Sequence, residues 1–149
     1  MAARDTRASA RDDVAIPGHG AADDRYRALI ERYLDAYNAF DVQGMLALLH
    51  PDVTFENVTG GEVTAAARGR EEFRALAEHA ATLFTSRRQT IRQYVETANG
   101  AQVDIDYGGV LATDLGPELR AGTTMRLAGR STFEIRDGRI ARSWMRAER

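Results

Sequence analysis

Residues 32–57 place the tightest constraint on how this chain can fold. They read RYLDAYNAFD and then, after Val42-Gln43-Gly44, MLALLHPDVTFEN. Upstream and through this stretch, Tyr26, Leu29, Ile30, Tyr33, Tyr37 and Phe40 recur at spacings of three and four. That spacing predicts one apolar helical face, with Arg25, Arg32 and Asp35 turned away from it. Asp23 or Asp24 is placed to cap this helix and Asp41 to cap the next. The second helix carries Met45, Leu46, Leu48 and Leu49 and is stopped at His50-Pro51, which puts His50 at the negative end of its dipole. The period then switches to two, with Val53, Phe55 and Asn57 on one face of a strand and Thr54, Glu56 and Val58 on the other.

The remainder reads as one more helix and then a meander. Gly60-Gly61 breaks the strand, and Glu62-Val63-Thr64 adds a short second one. Gly69-Arg70-Glu71-Glu72 opens the third helix, with its acids at the positive end of the dipole. Phe73, Leu76, Ala77, Ala80, Leu83 and Phe84 form its buried stripe. Strands are predicted over residues 89–97, 102–112, 123–135 and 139–146. Asn99-Gly100 and Asp137-Gly138 are tight-turn signals, and residues 113–122 form a longer loop. Three helices before a run of antiparallel strands is an α+β pattern, with the helices on one face of a curved sheet.

A chain of 149 residues is long enough for one domain with a buried core. Residues 1–24 mix Arg and Asp around Pro17-Gly18-His19-Gly20 and lack the apolar block of a signal peptide. They are expected to be a flexible tail, leaving 25–149 as the domain. A net charge of −2 gives no broad attraction to nucleic acid or an anionic membrane. No apolar run is long enough to span a bilayer, so the default expectation is a cytoplasmic protein. The chain has no cysteine, which excludes disulfides and thiolate chemistry. No two of the three histidines stand at metal-ligand spacing, and no phosphate-binding loop or nucleophile elbow is present, so neither a metal nor another cofactor is expected.

The helical opening through Tyr33 and Asn57 resembles the SnoaL-like proteins of the nuclear-transport-factor-2-like superfamily. So does the closing run Gly129-Arg130-Ser131-Thr132-Phe133-Glu134-Ile135-Arg136-Asp137-Gly138-Arg139-Ile140, with the Trp144-bearing strand behind it. The resemblance covers about residues 25–146. It implies a cone-shaped α+β fold, a deep pocket and a homodimer formed through the outer face of the sheet. Tyr33 matches the ketosteroid-isomerase tyrosine that donates to a developing oxyanion; its other reading is a core tyrosine. Asn57 stands at the position of that enzyme's catalytic aspartate, and an amide cannot take up a proton at neutral pH. Ser131 replaces its second oxyanion-hole acid. The Phe55-Glu56-Asn57 step is also similar to limonene-epoxide hydrolase, whose asparagine helps hold the attacking water. The last strand here, Trp144-Met145-Arg146, lacks that enzyme's carboxylate.

Asp104 and Asp106 alternate with Val103, Ile105 and Tyr107. Either the apolar set faces inward and the acids face water, or Asp106 enters the pocket as a general base. The expected pocket is mainly apolar, lined by Tyr33, Tyr37, Phe55, Asn57, Phe73, Ser131 and Phe133, with Trp144 in the core or at the pocket wall. Such a pocket suits a small hydrophobic ligand of polyketide-like or terpenoid-like chemistry. Two functions stand open. One is a cyclase, isomerase or hydrolase with Asp106 as base and Tyr33, Asn57 and Ser131 as hydrogen-bond partners. The other is a non-catalytic binding or dimerisation module that has lost its base.

Overall fold

A computed structural model describes residues 25–148. The expected tail and the capping role of Asp23 or Asp24 lie outside the described residues. The elements are α1 (Arg27–Asn38), α2 (Val42–Leu46), β1 (Leu49–Thr59), β2 (Glu62–Arg68), α3 (Gly69–Ala81), β3 (Phe84–Thr97), β4 (Gly100–Leu111), β5 (Thr124–Arg136) and β6 (Arg139–Glu148). The six strands form one sheet in the order β2-β1-β6-β5-β4-β3. β1 runs parallel to β6, and every other pairing is antiparallel. The α+β cone with helices against a curved, mainly antiparallel sheet is therefore the fold.

α1 buries Ile30, Tyr33 and Leu34, the face set by the three-and-four spacing. It ends in a Schellman arrangement: Asp41 N donates to Ala36 O (2.8 Å) and Phe40 N to Tyr37 O (3.1 Å). The turn residue is Phe40, at φ 59°, a left-handed conformation that usually falls to glycine. Asp41 then caps α2 by accepting from Gly44 N at 2.9 Å.

The second helix is shorter than the pattern suggests. It stops at Leu46, and Leu49 and His50 already belong to β1. Pairing outcompetes the last helical turn: Leu49 lies beside Ile140 of β6, Ile140 N donates to Leu48 O (2.9 Å), and the Arg70 guanidinium donates twice to Leu49 O (3.0 and 2.6 Å). His50 thus ends no helix. Its Nδ1 accepts from Asp52 N at 3.1 Å, and its Nε2 lies 3.4 Å from Asp137.

The hairpin turns carry the expected chemistry with one change. Gly60 (φ 59°) and Gly61 (φ 83°), and Asp137 (φ 56°) and Gly138 (φ 74°), are two-residue turns with both dihedrals positive. Between β3 and β4 the turn residues are Ala98 and Asn99, and Gly100 is already paired with Thr97. Gly100 answers a different need, because a Cβ there would overlap the Phe133 carbonyl of β5.

Register decides what faces the helices. Ala101, Val103, Ile105 and Tyr107 of β4 stand opposite Phe133, Ser131, Gly129 and Leu127 of β5. The first three pack with Ile30, Tyr33, Leu34 and Phe133 in the main core. The alternate residues of the same strands form the opposite, outer face. β3 starts at Phe84, five residues ahead of expectation, so Phe84 leaves the helical stripe and Arg87 joins the sheet.

Candidate functional site

Between the helices and the inner face of the sheet lies a cavity of about 330 Å³, within the range of small-molecule sites. α1 supplies Tyr33 and Tyr37, and α3 supplies Phe73, Leu76 and Ala77. From the sheet come Phe55 and Asn57 of β1, Arg87 and Gln89 of β3, Tyr107 of β4, Ser131 and Phe133 of β5, and Ser143 and Met145 of β6. Alternation along the strands brings these side chains to one face, and a register shift at Asn57/Val58 brings Val58 to the cavity as well.

Edge-to-face ring contacts fix the apolar walls. Phe55 meets Phe73 with centroids 5.4 Å apart, and Tyr33 meets Phe133 at 6.0 Å. Tyr107 contacts both Tyr37 (6.3 Å) and Phe84 (6.0 Å). Such pairs add to area burial and orient the rings.

Polar groups are few and specific. The Tyr37 hydroxyl donates to the Tyr107 hydroxyl at 3.2 Å. Burial raises the pKa of Tyr33, Tyr37 and Tyr107 above that of an ordinary phenol, with the positive charge of Arg87 pulling the other way. All three are therefore protonated hydrogen-bond donors at neutral pH. Among the described residues, Tyr33 Oη and the Asn57 side chain make no hydrogen bond to another protein group. Both are free to meet a ligand.

Arg87 is 5% exposed. Its Nε donates to Tyr37 O at 3.0 Å, and its guanidinium carbon lies 3.7 Å from the Tyr37 ring centroid and 4.5 Å from that of Phe40. The left-handed turn at Phe40 thus places an aromatic ring over a buried cation, which is where backbone strain is often retained. Among the described residues that line the cavity, none is Asp, Glu or His, and Arg87 is the one charged group.

Seven of the nine residues singled out from sequence meet here: Tyr33, Tyr37, Phe55, Asn57, Phe73, Ser131 and Phe133. Two do not. Asp106 is on the outer face, its side chain 59% exposed, with its carboxylate 3.6 Å from Arg92. Tyr107 and Ile105 take the inward positions on β4, so the neighbour between them must point out. Asp104 is outward as well, held by Arg130 at 2.9 Å, and that hydrogen bond lowers its pKa. Trp144 also faces outward. Ser143 and Met145 occupy the inward positions of β6, so Trp144 stacks under Arg142 at 4.0 Å and lines a shallow outer groove with Glu56 and Arg68.

The sequence reading missed Arg87, Gln89, Tyr107 and Ser143. Tyr107 was signalled by its parity with Val103 and Ile105. Arg87 was not, because Thr85-Ser86-Arg87-Arg88-Gln89 is an unbroken polar run with no alternating pattern, and Arg87 precedes the predicted start of the strand. No helix among the described residues is long and apolar enough to cross a membrane. Nor does any group of three or more His, Asp or Glu among them offer a metal site.

The profile of the SnoaL-like domain matches residues 30–143. Among solved structures, a proposed polyketide cyclase from Silicibacter sp. TM1040 is similar at 30% identity, over 84% of this chain and 90% of its own, with a TM-score of 0.66. Another proposed polyketide cyclase, from Xanthomonas campestris pv. campestris, is 28% identical over 83% of this chain and 90% of its own, with a TM-score of 0.64. IdmH, a proposed polyketide cyclase from Streptomyces antibioticus, shares 18% identity over 81% of this chain and 90% of its own at a TM-score of 0.67, a likeness of fold alone. No protein of curated function matches the chain.

Proposed function

The chain belongs to the SnoaL-like family of the nuclear-transport-factor-2-like superfamily, and from that premise we propose that its cavity binds a small hydrophobic, polyketide-like metabolite and polarises a ligand oxygen without abstracting a proton. One observation carries this reading: the described lining contains aromatic rings, neutral hydrogen-bonding groups and one cation, and no carboxylate or imidazole. A carbon acid held here would meet donors such as Tyr33 Oη and the Asn57 amide, which stabilise negative charge on oxygen. It would meet no group able to accept its proton. Asp106, the one base offered by the sequence, lies on the far face of the sheet.

A second reading is favoured by the two proposed polyketide cyclases at 28% and 30% identity. A poly-β-ketone carries C–H groups acidic enough to lose a proton to solvent or buffer, so that it can enter the cavity already as the enolate. The same donors would then steady the enolate during ring closure.

The test is exchange of α-protons for deuterium in a bound cyclic ketone, followed by NMR. Wild-type protein, whose donors stabilise the enolate but supply no base, raises the exchange rate far less than Asn57→Asp, which installs a carboxylate facing the cavity and raises it by about 100-fold or more. Acceleration of that size by the wild-type protein would show that a base acts in the cavity and would sink the base-free reading.

A further inference from the structure

We propose that Arg87 is the anion-recognising group of this cavity, so that the ligand is a hydrophobic ring compound carrying one planar anionic oxygen group, a carboxylate or a 1,3-dicarbonyl enolate. The inference rests on the reading of the cavity as a ligand site and adds the charge of what it binds.

Arginine keeps its positive charge in proteins and offers five N–H donors in a rigid fork. A buried charge is strongly unfavourable unless it is paired and hydrogen-bonded. The ion-paired arginines among the described residues, such as Arg92, Arg130 and Arg142, are on the surface with acidic neighbours. Arg87 is the reverse case. It is 95% buried by its 5% exposure, it has no carboxylate partner among the described residues, and its Nη2 makes no hydrogen bond.

Part of the charge is accommodated locally. Nε donates to Tyr37 O (3.0 Å) in the last turn of α1, where the helix dipole favours a cation, and the rings of Tyr37 and Phe40 lie against the guanidinium plane. These contacts fix the orientation of the fork and leave it without a countercharge. A planar anion is the partner whose geometry matches. The Tyr37 hydroxyl donates to that of Tyr107, which leaves the Tyr107 O–H as a further donor at the same end of the cavity. Phe55, Phe73 and Phe133 supply the apolar wall for a ring system. Nη2 is covered in this arrangement, so engaging it takes a side-chain adjustment of the kind common on binding.

The experiment uses wild-type protein and matched ligands in isothermal titration: 2-naphthoate, its neutral primary amide, and 2-acetyl-1,3-indandione as its enolate. At least one anion is expected to bind about tenfold or more tightly than the amide, the scale of one charge-assisted hydrogen bond in a buried site. Which of the two binds more tightly names the oxygen group. Arg87→Met should remove the preference, and Arg87→Lys should retain part of it. Equal affinity for the amide and both anions in the wild-type protein would overturn the inference while leaving the cavity a ligand site. No binding of any of the three would overturn the ligand-site reading and this inference with it.

Discussion

Replacing Arg87 by methionine should leave the protein as stable as before, or make it more stable, even though a buried charge-assisted hydrogen bond is lost. Desolvating an arginine that reaches 5% exposure costs several kcal/mol after relaxation. Against this stand one hydrogen bond to Tyr37 O, about 2 kcal/mol for a charged donor, and two ring contacts of about 1–2 kcal/mol each. The C-terminal dipole of α1 adds about 0.5–1 kcal/mol. The two sides nearly cancel. Methionine fills similar space without the desolvation penalty, and Tyr37 O keeps its bond from Phe40 N, so no carbonyl is orphaned. The expected change is between zero and about 2 kcal/mol of added stability, since exchange of buried ions for apolar groups is often neutral or favourable. Urea melts at equal slope would register it. At about 2–4 °C per kcal/mol for a chain of this size, the thermal midpoint would rise by several degrees or stay level. A loss of more than about 2 kcal/mol would refute the reasoning. It would mean that the tether to α1 outweighs the buried charge, and that Arg87 is present for the fold.

Two further predictions concern groups outside the cavity. Glu96 accepts from Tyr94 Oη (3.1 Å) and Tyr26 N (3.4 Å), yet burial is the largest influence and raises its pKa above the ordinary 4.5. A raised folded value means that the stability linked to this group is complete below pH 4.5 and is lost as pH rises through the folded value. Glu96→Gln should therefore match wild type in acid and exceed it at neutral pH by less than about 1 kcal/mol, given partial solvent screening; a variant equally less stable at both pH values would contradict the sign. Asp106→Asn should leave affinity for the cavity ligands unchanged and shift stability by under about 0.5 kcal/mol, because its contact with Arg92 is exposed. Loss of ligand binding in titration would return Asp106 to the site.

The sequence was most informative where periodicity and turn chemistry agreed. The three-and-four spacing located α1, Asp41 announced the cap of α2, and Asp137-Gly138 set the last hairpin. The inward face of Phe55 and Asn57 followed from the period of two in β1, while Ser131 and Phe133 followed from the resemblance to the SnoaL-like proteins. The failures have local causes. Leu49 and His50 continue a helical pattern, but a parallel neighbour, Ile140, claims their backbone. Ionisable side chains drew functional attention to Asp106, yet alternation had already assigned the inward positions to Ile105 and Tyr107. Trp144 was expected in the core or at the pocket wall, although Ser143 and Met145 fill the inward positions beside it. Arg87 was hidden for the opposite reason, because an arginine within the polar run that opens β3 looks like surface. Only tertiary packing under Tyr37 and Phe40 reveals that it is buried.

The most direct test of the account is a crystal structure of the protein with 2-naphthoate or the indandione enolate bound. The rings are expected among Phe55, Phe73 and Phe133, with the anionic oxygens about 3 Å from the Arg87 guanidinium nitrogens. A ligand lodged in the outer groove beside Trp144, or one whose anionic oxygens point to solvent away from Arg87, would contradict it.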